Sequence, residues 1–315
     1  MGEERFLVTG AGGCIGAWVV AQLAREGTGV VALDAAADDH RLRLLLDDDA
    51  LAGVTRVQGD ITDLPALERT LDEHAITHVI HLAALQVPFC RADPPLGARV
   101  NVVGTVNVFE AVAGRADRMG PVVYASSVAA YDALDEGSTE SAMQGVPSTL
   151  YGVYKRANEG TATVYAGERG LPSVGLRPHT VYGPGRDQGL TSAPTLAMLA
   201  AAAGESYRLP FGGAYQLQYA PDVAAAFVGA ARGEPDGAEL RDIGGPRVHT
   251  DEVIAAIEAA APGARITYEP VELPFPADTG EPVAATSLRD GVADAIARFR
   301  DLLARGLVAA PARTA

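Results

Sequence analysis

The sequence predicts an α/β fold: a doubly wound parallel sheet followed by a smaller C-terminal lobe. Short apolar runs alternate with segments of helical periodicity as far as Arg177. The first run ends in Thr9-Gly10-Ala11-Gly12-Gly13-Cys14-Ile15-Gly16, a glycine-rich turn that leads into a helix. Beyond Arg177, prolines and glycines interrupt the chain and the segments shorten.

Each element follows in order. Phe6-Leu7-Val8 reads as the first strand, and Ile15 to Arg25, with Trp18, Val19 and Leu23 at helical spacing, as the helix after the turn. Gly29 to Asp34, Val54 to Gln58, Thr77 to Leu82, Val122 to Ala125 and Ser173 to Leu176 read as further strands. Helical patterns lie between them over 41–51, 64–74, 96–114 and 148–168. Such alternation implies a parallel sheet covered on both faces. Pro178, Pro184, Gly185, Pro194, Pro210, Gly212 and Gly213 then break the rhythm, with helices expected near 192–203, 221–232, 250–260 and 288–304. Val271 to Pro282 is expected to wrap the surface as a loop. No flexible linker separates the halves, so residues 1–177 and 178–315 are expected as contiguous lobes, with segments of the second able to return to the sheet.

Bulk properties narrow the function classes. A formal net charge of -15 repels polyanions, which excludes nucleic acid and an anionic membrane surface as expected partners. Cys14 and Cys90 show no metal-ligand spacing, and neither do His40, His81 and His249, so no metal site is expected. The start, Met1-Gly2-Glu3-Glu4-Arg5, lacks a basic region before an apolar stretch, and no later run is long enough to span a bilayer. A reducing, cytoplasmic setting is the expectation.

Gly10, Gly13 and Gly16 stand as Gly-x-x-Gly-x-x-Gly between a strand and a helix, where backbone N–H groups and the helix dipole can meet a pyrophosphate. Asp34 ends the next strand. A carboxylate there can accept bonds from both ribose hydroxyls and repels a 2′-phosphate, which favours NAD over NADP; a turn-initiating aspartate is the plainer alternative. Arg41 and Arg43 lie close enough to soften that preference. Much later, Tyr151 and Lys155 stand four residues apart, a spacing that shares one helix face. A phenol titrates near ~10, and a neighbouring cation favours the phenolate, so the pair can handle a proton.

At these positions the chain resembles the extended short-chain dehydrogenase/reductases, the NAD-dependent epimerase/dehydratase family. Gly59-Asp60-Ile61 resembles the family's adenine-binding segment, His81-Leu82-Ala83-Ala84 the turn beside the cofactor, and Asn101-Val102-Val103-Gly104-Thr105 its helix motif. The resemblance implies a Rossmann-type NAD domain over 1–177 and a mainly substrate-binding lobe over 178–315. It implies cofactor contacts at Gly10, Gly13, Cys14, Ile15, Gly16, Asp34, Asp60, Ile61, Leu82, Ala83, Ala84 and Asn101. In Tyr124-Ala125-Ser126-Ser127-Val128-Ala129-Ala130-Tyr131 it places the catalytic hydroxyl at Ser127, with Ser126 beside it. Tyr151 then shuttles the proton, while Lys155 lowers its pKa and both meet the nicotinamide ribose. Arg177-Pro178-His179-Thr180-Val181-Tyr182-Gly183-Pro184-Gly185 resembles the stretch passing the nicotinamide, with Pro178, His179 and Val181 lining the ring.

Departures from the family pattern bear on the substrate. Val128 and Ala129 stand where dehydratases carry acidic residues, so water elimination lacks its acid. Ala214 to Val223 contains no cation, although nucleotide-sugar enzymes commonly place an arginine there to grip a diphosphate. A substrate without a diphosphate is therefore expected, with Gln86, Ser126, Ser127, Thr180 and Arg186 as candidate contacts and Arg91, Gln216 and Gln218 behind them. Arg186 has the alternative of a salt bridge to Asp187. The expected activity is NAD-dependent dehydrogenation or epimerisation of a secondary alcohol on a small sugar-like or sugar-acid molecule. The alternatives are a nucleotide-sugar 4-epimerase and a non-catalytic NAD-sensing protein. The resemblance also implies a homodimer formed through the helices at 96–114 and 148–168, with Val102, Val106, Phe109 and Val112 as apolar candidates.

Overall fold

The computed structural model describes residues 3–131, 147–273 and 286–311. Seven strands build the main sheet: β1 (Arg5–Thr9), β2 (Gly29–Asp34), β3 (Thr55–Gln58), β4 (His78–His81), β5 (Val122–Ala125), β6 (Ser173–Arg177) and, after three strands outside it, β10 (Ala238–Asp242). Their order is β10-β6-β5-β4-β1-β2-β3, and every pairing is parallel. Strand order reverses between β1 and β4, and in such sheets ligands lie beyond the carboxyl ends of the strands at that switch point.

Side-chain alternation explains why both faces are covered. Phe6 and Val8 of β1 join Ile80, Val123 and Val174 in one core cluster, whereas Leu7 joins Val31, Leu33, Val79 and Val122 in the other. The helices Cys14–Arg25 and Ala220–Ala231 contribute to the first face. Leu64–Glu73, Gly104–Ala113 and Leu150–Arg169 contribute to the second. Leu150–Arg169 is bounded at both ends. The Thr149 hydroxyl accepts from Gly152 N at 3.1 Å, and Gly170 closes the helix in the left-handed region at φ 63°.

Beyond Arg177, β7 (Thr180–Tyr182), β9 (Ala214–Tyr219) and β11 (Arg247–His249) form a small sheet in the order β11-β9-β7. β8 (Ser206–Leu209) pairs with β12 (Arg265–Tyr268). The chain also returns to the main sheet, because Ala220–Ala231 packs on it and β10 extends its edge.

Two helices differ from the sequence reading. The one expected over 41–51 is broken at Leu46, which is extended (φ -118°, ψ 143°), and the Asp47 carboxylate then caps a separate short helix by accepting from Ala50 N at 2.8 Å. The one expected over 96–114 is preceded by Pro94–Ala98, capped by Asp93, and widens to a π turn at Arg99–Val103 before Gly104–Ala113. Of the loop expected over 271–282, residues 274–282 lie outside the described residues. Among the described residues no helix is long and apolar enough to cross a membrane, and no cluster of His, Cys, Asp or Glu can hold a metal ion.

Candidate active site

The glycine turn is shaped by close backbone approach. Gly10 has φ 69°, and a Cβ there would lie 2.5 Å from Ala83 N; one on Gly16 would lie 2.1 Å from Gly10 O. Neither position admits a side chain. No side chain caps the first helix and its first turn carries no acid, so the leading N–H groups around Cys14 and Ile15 remain for an anion. Burial pushes the Cys14 thiol up to about 11 against the pull of Arg186 and Arg41, which leaves it unreactive. Asp34 Oδ2 accepts from Gly12 N at 2.9 Å and Oδ1 from Ala36 N at 3.1 Å, which aims the half-exposed carboxylate at the end of β2. Each oxygen keeps a lone pair for a ribose hydroxyl. Arg41 binds Gly12 O, Gly185 O and Asp187, while Arg43 binds Asp39, so these arginines are committed to other acceptors. Glycines that admit no Cβ, an uncapped helix start and a strand-end carboxylate together fit a dinucleotide.

Asp60 is exposed and accepts from Thr62 N at 2.8 Å, while the cap of Leu64–Glu73 is Asp63. Ile61 lies buried beneath Gly104, where a Cβ would come within 2.5 Å of its Cδ1. Leu82, Ala83 and Ala84 line the lip, half-buried. His81 is locked between Thr9 Oγ1 (2.7 Å) and Thr105 Oγ1 (3.0 Å), and burial pulls its pKa down to about 3, so it stays neutral. Asn101 is 1% exposed, and its amide brackets Leu85, accepting from N at 2.7 Å and donating to O at 2.8 Å. Its influence on the groove therefore passes through the loop it holds.

Ser127, Tyr151 and Lys155 converge at the ends of β5 and the Leu150–Arg169 helix. Gly152 makes this possible: a Cβ there would sit 2.1 Å from Ala129 O, so the helix start abuts the short turn Val128–Ala130. The Ser127 hydroxyl accepts from Ala129 N at 3.1 Å and lies beside the Tyr151 phenol, where it favours the phenolate. Lys155 Nζ donates to Ala125 O at 2.6 Å and lies 5.5 Å from the Tyr151 ring centre. Burial pulls the Lys155 ammonium down to about 8. The expectation that Lys155 lowers the Tyr151 pKa is not met: burial raises it, opposed by the Ser127 hydroxyl and the Arg186 charge. The ammonium is directed at Ala125 O, and the phenol sits in low dielectric.

The opposite wall is formed by the segment after β6. Pro178, Thr180 and Val181 are buried, so their side chains do not face the groove openly. His179 is half-buried; its N donates to Gln218 Oε1 at 2.9 Å, and burial pulls the ring down to about 4. A neutral imidazole cannot serve as the acid near pH 7. Gln216 Oε1 accepts from Gly245 N at 3.1 Å and Gln218 Nε2 donates to Ile243 O, so both glutamines hold backbone. Arg186 donates to Gln188 O at 2.6 Å and to Thr191 Oγ1 at 2.7 Å. Its alternative partner, Asp187, pairs with Arg41 instead. Around Gly189 the Gln86 carboxamide and the Arg186 guanidinium come together, whereas Arg91 is exposed.

The model of the NAD dependent epimerase/dehydratase family matches residues 6–243, more than half of the chain. The chain belongs to that family. Membership accords with the Rossmann-type sheet and with the groove fitted for a dinucleotide. UDP-glucuronate 4-epimerase 2 of Arabidopsis thaliana is 38% identical over 183 residues, 56% of this chain and 42% of that one, so the match spans less than half of the plant protein. UDP-glucose 4-epimerase of Mycolicibacterium smegmatis is 34% identical over 263 residues, covering 81% of this chain and 82% of its own. The Thermus thermophilus UDP-glucose 4-epimerase, solved in complex with NAD, superposes with a TM-score of 0.74 at 28% identity, over 94% of this chain and 99% of that one.

One group in this family member was not visible in the sequence pattern. Glu159 continues the face of Tyr151 and Lys155 by one more turn and forms a buried bidentate pair with Arg177, Nε to Oε1 and Nη2 to Oε2, both at 2.7 Å. The Ser126 hydroxyl donates to Glu159 as well. Ser126 was expected to touch substrate; at 1% exposure it is turned into this network, away from the groove. Arg177 Nη1 donates to the Tyr131 hydroxyl at 3.1 Å, which donates to Asp242 of β10 at 2.6 Å. Burial pulls the Arg177 pKa down, but the bonds and charge of Glu159 outweigh it and raise it. The network fixes the residue before Ser127 to the helix that carries Tyr151.

Proposed function

We propose that the enzyme oxidises, or transiently oxidises and epimerises, a secondary alcohol on a small sugar-like or sugar-acid substrate. The observation that carries this reading is the convergence of Ser127 and buried Lys155 on Tyr151, at the mouth of a groove fitted for NAD. NAD, when bound, supplies the hydride acceptor. Ser127 orients the substrate oxygen, Tyr151 takes its proton, and Lys155 holds the ribose side of the site. Arg186, with Gln86 beside it, supplies a cation to an acidic group on the substrate, and residues 178–315 chiefly shape that side. Both cysteines are free, which suits the reducing cytoplasm expected from the sequence.

The second reading, a nucleotide-sugar 4-epimerase, is favoured by the names of the similar proteins. Against it stands β9, whose Gln216 and Gln218 are committed to backbone where a diphosphate would require charge-assisted bonds. A thermal-shift titration in the presence of NAD separates the two. Sugar acids are expected to raise the melting temperature, since a ligand at about 100 times its Kd adds roughly 2.7 kcal/mol. Uridine and thymidine diphosphate are expected to leave it unchanged; a clear rise with either gives the second reading precedence.

We further propose a homodimer through the Leu150–Arg169 helix and the helical stretch from Pro94 to Ala113. Of the residues singled out in the sequence, Phe109 and Val112 are buried against the sheet and cannot serve. Leu96, Val103, Leu150, Val153 and Val164 are exposed instead, and large apolar side chains grouped on adjacent helices call for cover. Analytical ultracentrifugation is expected to give about twice the 32.5 kDa chain mass at micromolar concentration, and a monomer there removes the dimer.

A further inference from the structure

Arg41 touches no group assigned to the chemistry, yet it ties two separate stretches of the groove, the glycine turn and the loop after β7. Nη1 donates to Gly12 O in the glycine turn at 2.8 Å, Nε donates to Gly185 O at 3.0 Å, and Nη2 pairs with Asp187 Oδ1 at 2.6 Å. The arginine and Gly185 lie 144 residues apart in sequence. Gly185 has φ 89°, and a Cβ there would fall 3.5 Å from Arg41 Cδ, so the loop runs directly past the arginine stem. Trp18 Nε1 fixes the same loop from the first helix by donating to Pro184 O at 2.9 Å. The arginine is mostly covered (side chain 19% exposed), whereas Asp187 keeps 43% and faces solvent on one side.

We propose that the Arg41–Asp187 pair is a clasp on the cofactor groove that opens before NAD enters or leaves. A dinucleotide laid from Asp34 to Tyr151 crosses the glycine turn, and Arg41 binds that turn on one side and the loop after β7 on the other. Only a guanidinium can make this tie, because its planar fork presents several donors in fixed directions and an ammonium is a point charge. A closed clasp keeps NAD in place while hydride leaves the substrate and returns, as epimerisation requires. The inference rests on NAD binding and is independent of which sugar is bound.

The test uses the full-length protein loaded with NAD, chased with isotopically labelled NAD, in wild type, Arg41→Lys and Asp187→Asn. Each variant is expected to speed both dissociation and association about tenfold, with the dissociation constant nearly unchanged, because a gate restricts traffic in both directions. Unchanged dissociation rates in both variants overturn the clasp. Faster dissociation with unaltered association also overturns it, since that pattern belongs to a direct cofactor contact.

Discussion

Tyr151→Phe is expected to lower kcat by about 1,000-fold, the usual scale for removing a positioned acid–base group, while the dissociation constant for NAD stays within about twofold. The phenyl ring retains the packing of the half-buried tyrosine and loses only the hydroxyl that meets Ser127. The pH profile supplies an independent check. Burial holds the Tyr151 pKa above its ordinary value, so the phenolate fraction grows as pH climbs and the wild-type rate rises with it. The variant has no such limb. Steady-state kinetics against pH, with any substrate found in the thermal-shift screen, decide the matter; residual turnover above about a tenth of wild type would remove Tyr151 from the base role.

Glu159→Ala is expected to destabilise the protein by about 3 kcal/mol, because it leaves a buried guanidinium with only the more distant Asp242 carboxylate, at 3.7 Å, as counter-charge. Arg177 is 5% exposed and Glu159 8%, so water cannot take over the lost bonds. Replacing both by leucine is expected to recover much of that loss, since the uncompensated charge disappears with its partner. Urea denaturation of the single and double variants beside wild type measures this. A single-variant loss under about 1 kcal/mol would place the pair in the class of exposed, weakly contributing bridges. Beyond stability, the pair joins the Ser126 hydroxyl to the helix of Tyr151, so loss of the carboxylate also loosens the setting of Ser127.

How much of this was legible in the sequence depended on the range of the interaction. β1, β2 and β4 to β6 declared themselves as apolar runs, because strands buried on both faces need no polar alternation. β10 did not: Ala-Glu-Leu-Arg-Asp sits at an exposed edge and reads as surface. The glycine turn and the Tyr151–Lys155 spacing are local patterns, fixed within a few residues. Glu159–Arg177 and Arg41–Gly185 are not local, and a charged residue on a helix or strand looks in sequence like any solvated one. The break at Leu46 was hidden for a different reason: apolar spacing continues through it, while the Asp47 cap restarts the helix. The direction of the Tyr151 shift was likewise hidden, since spacing shows that Lys155 is near but not that its ammonium is directed at Ala125 O.

The π turn at Arg99–Val103 gives this helix a bulge that composition alone does not reveal. On its wide coil Asn101 reaches Leu85, and directly after it Gly104 meets Ile61, with Val103 outermost between them. A π turn holds one residue more than an α turn for about the same rotation, so the helix keeps its phase on both sides while the coil bulges at Asn101. Deleting one residue of the turn would let it close to a regular α turn without rotating its neighbours, and the bulge that carries the Asn101 amide to Leu85 would be lost. The extra residue here serves the loop beside it, and the helix could run without it.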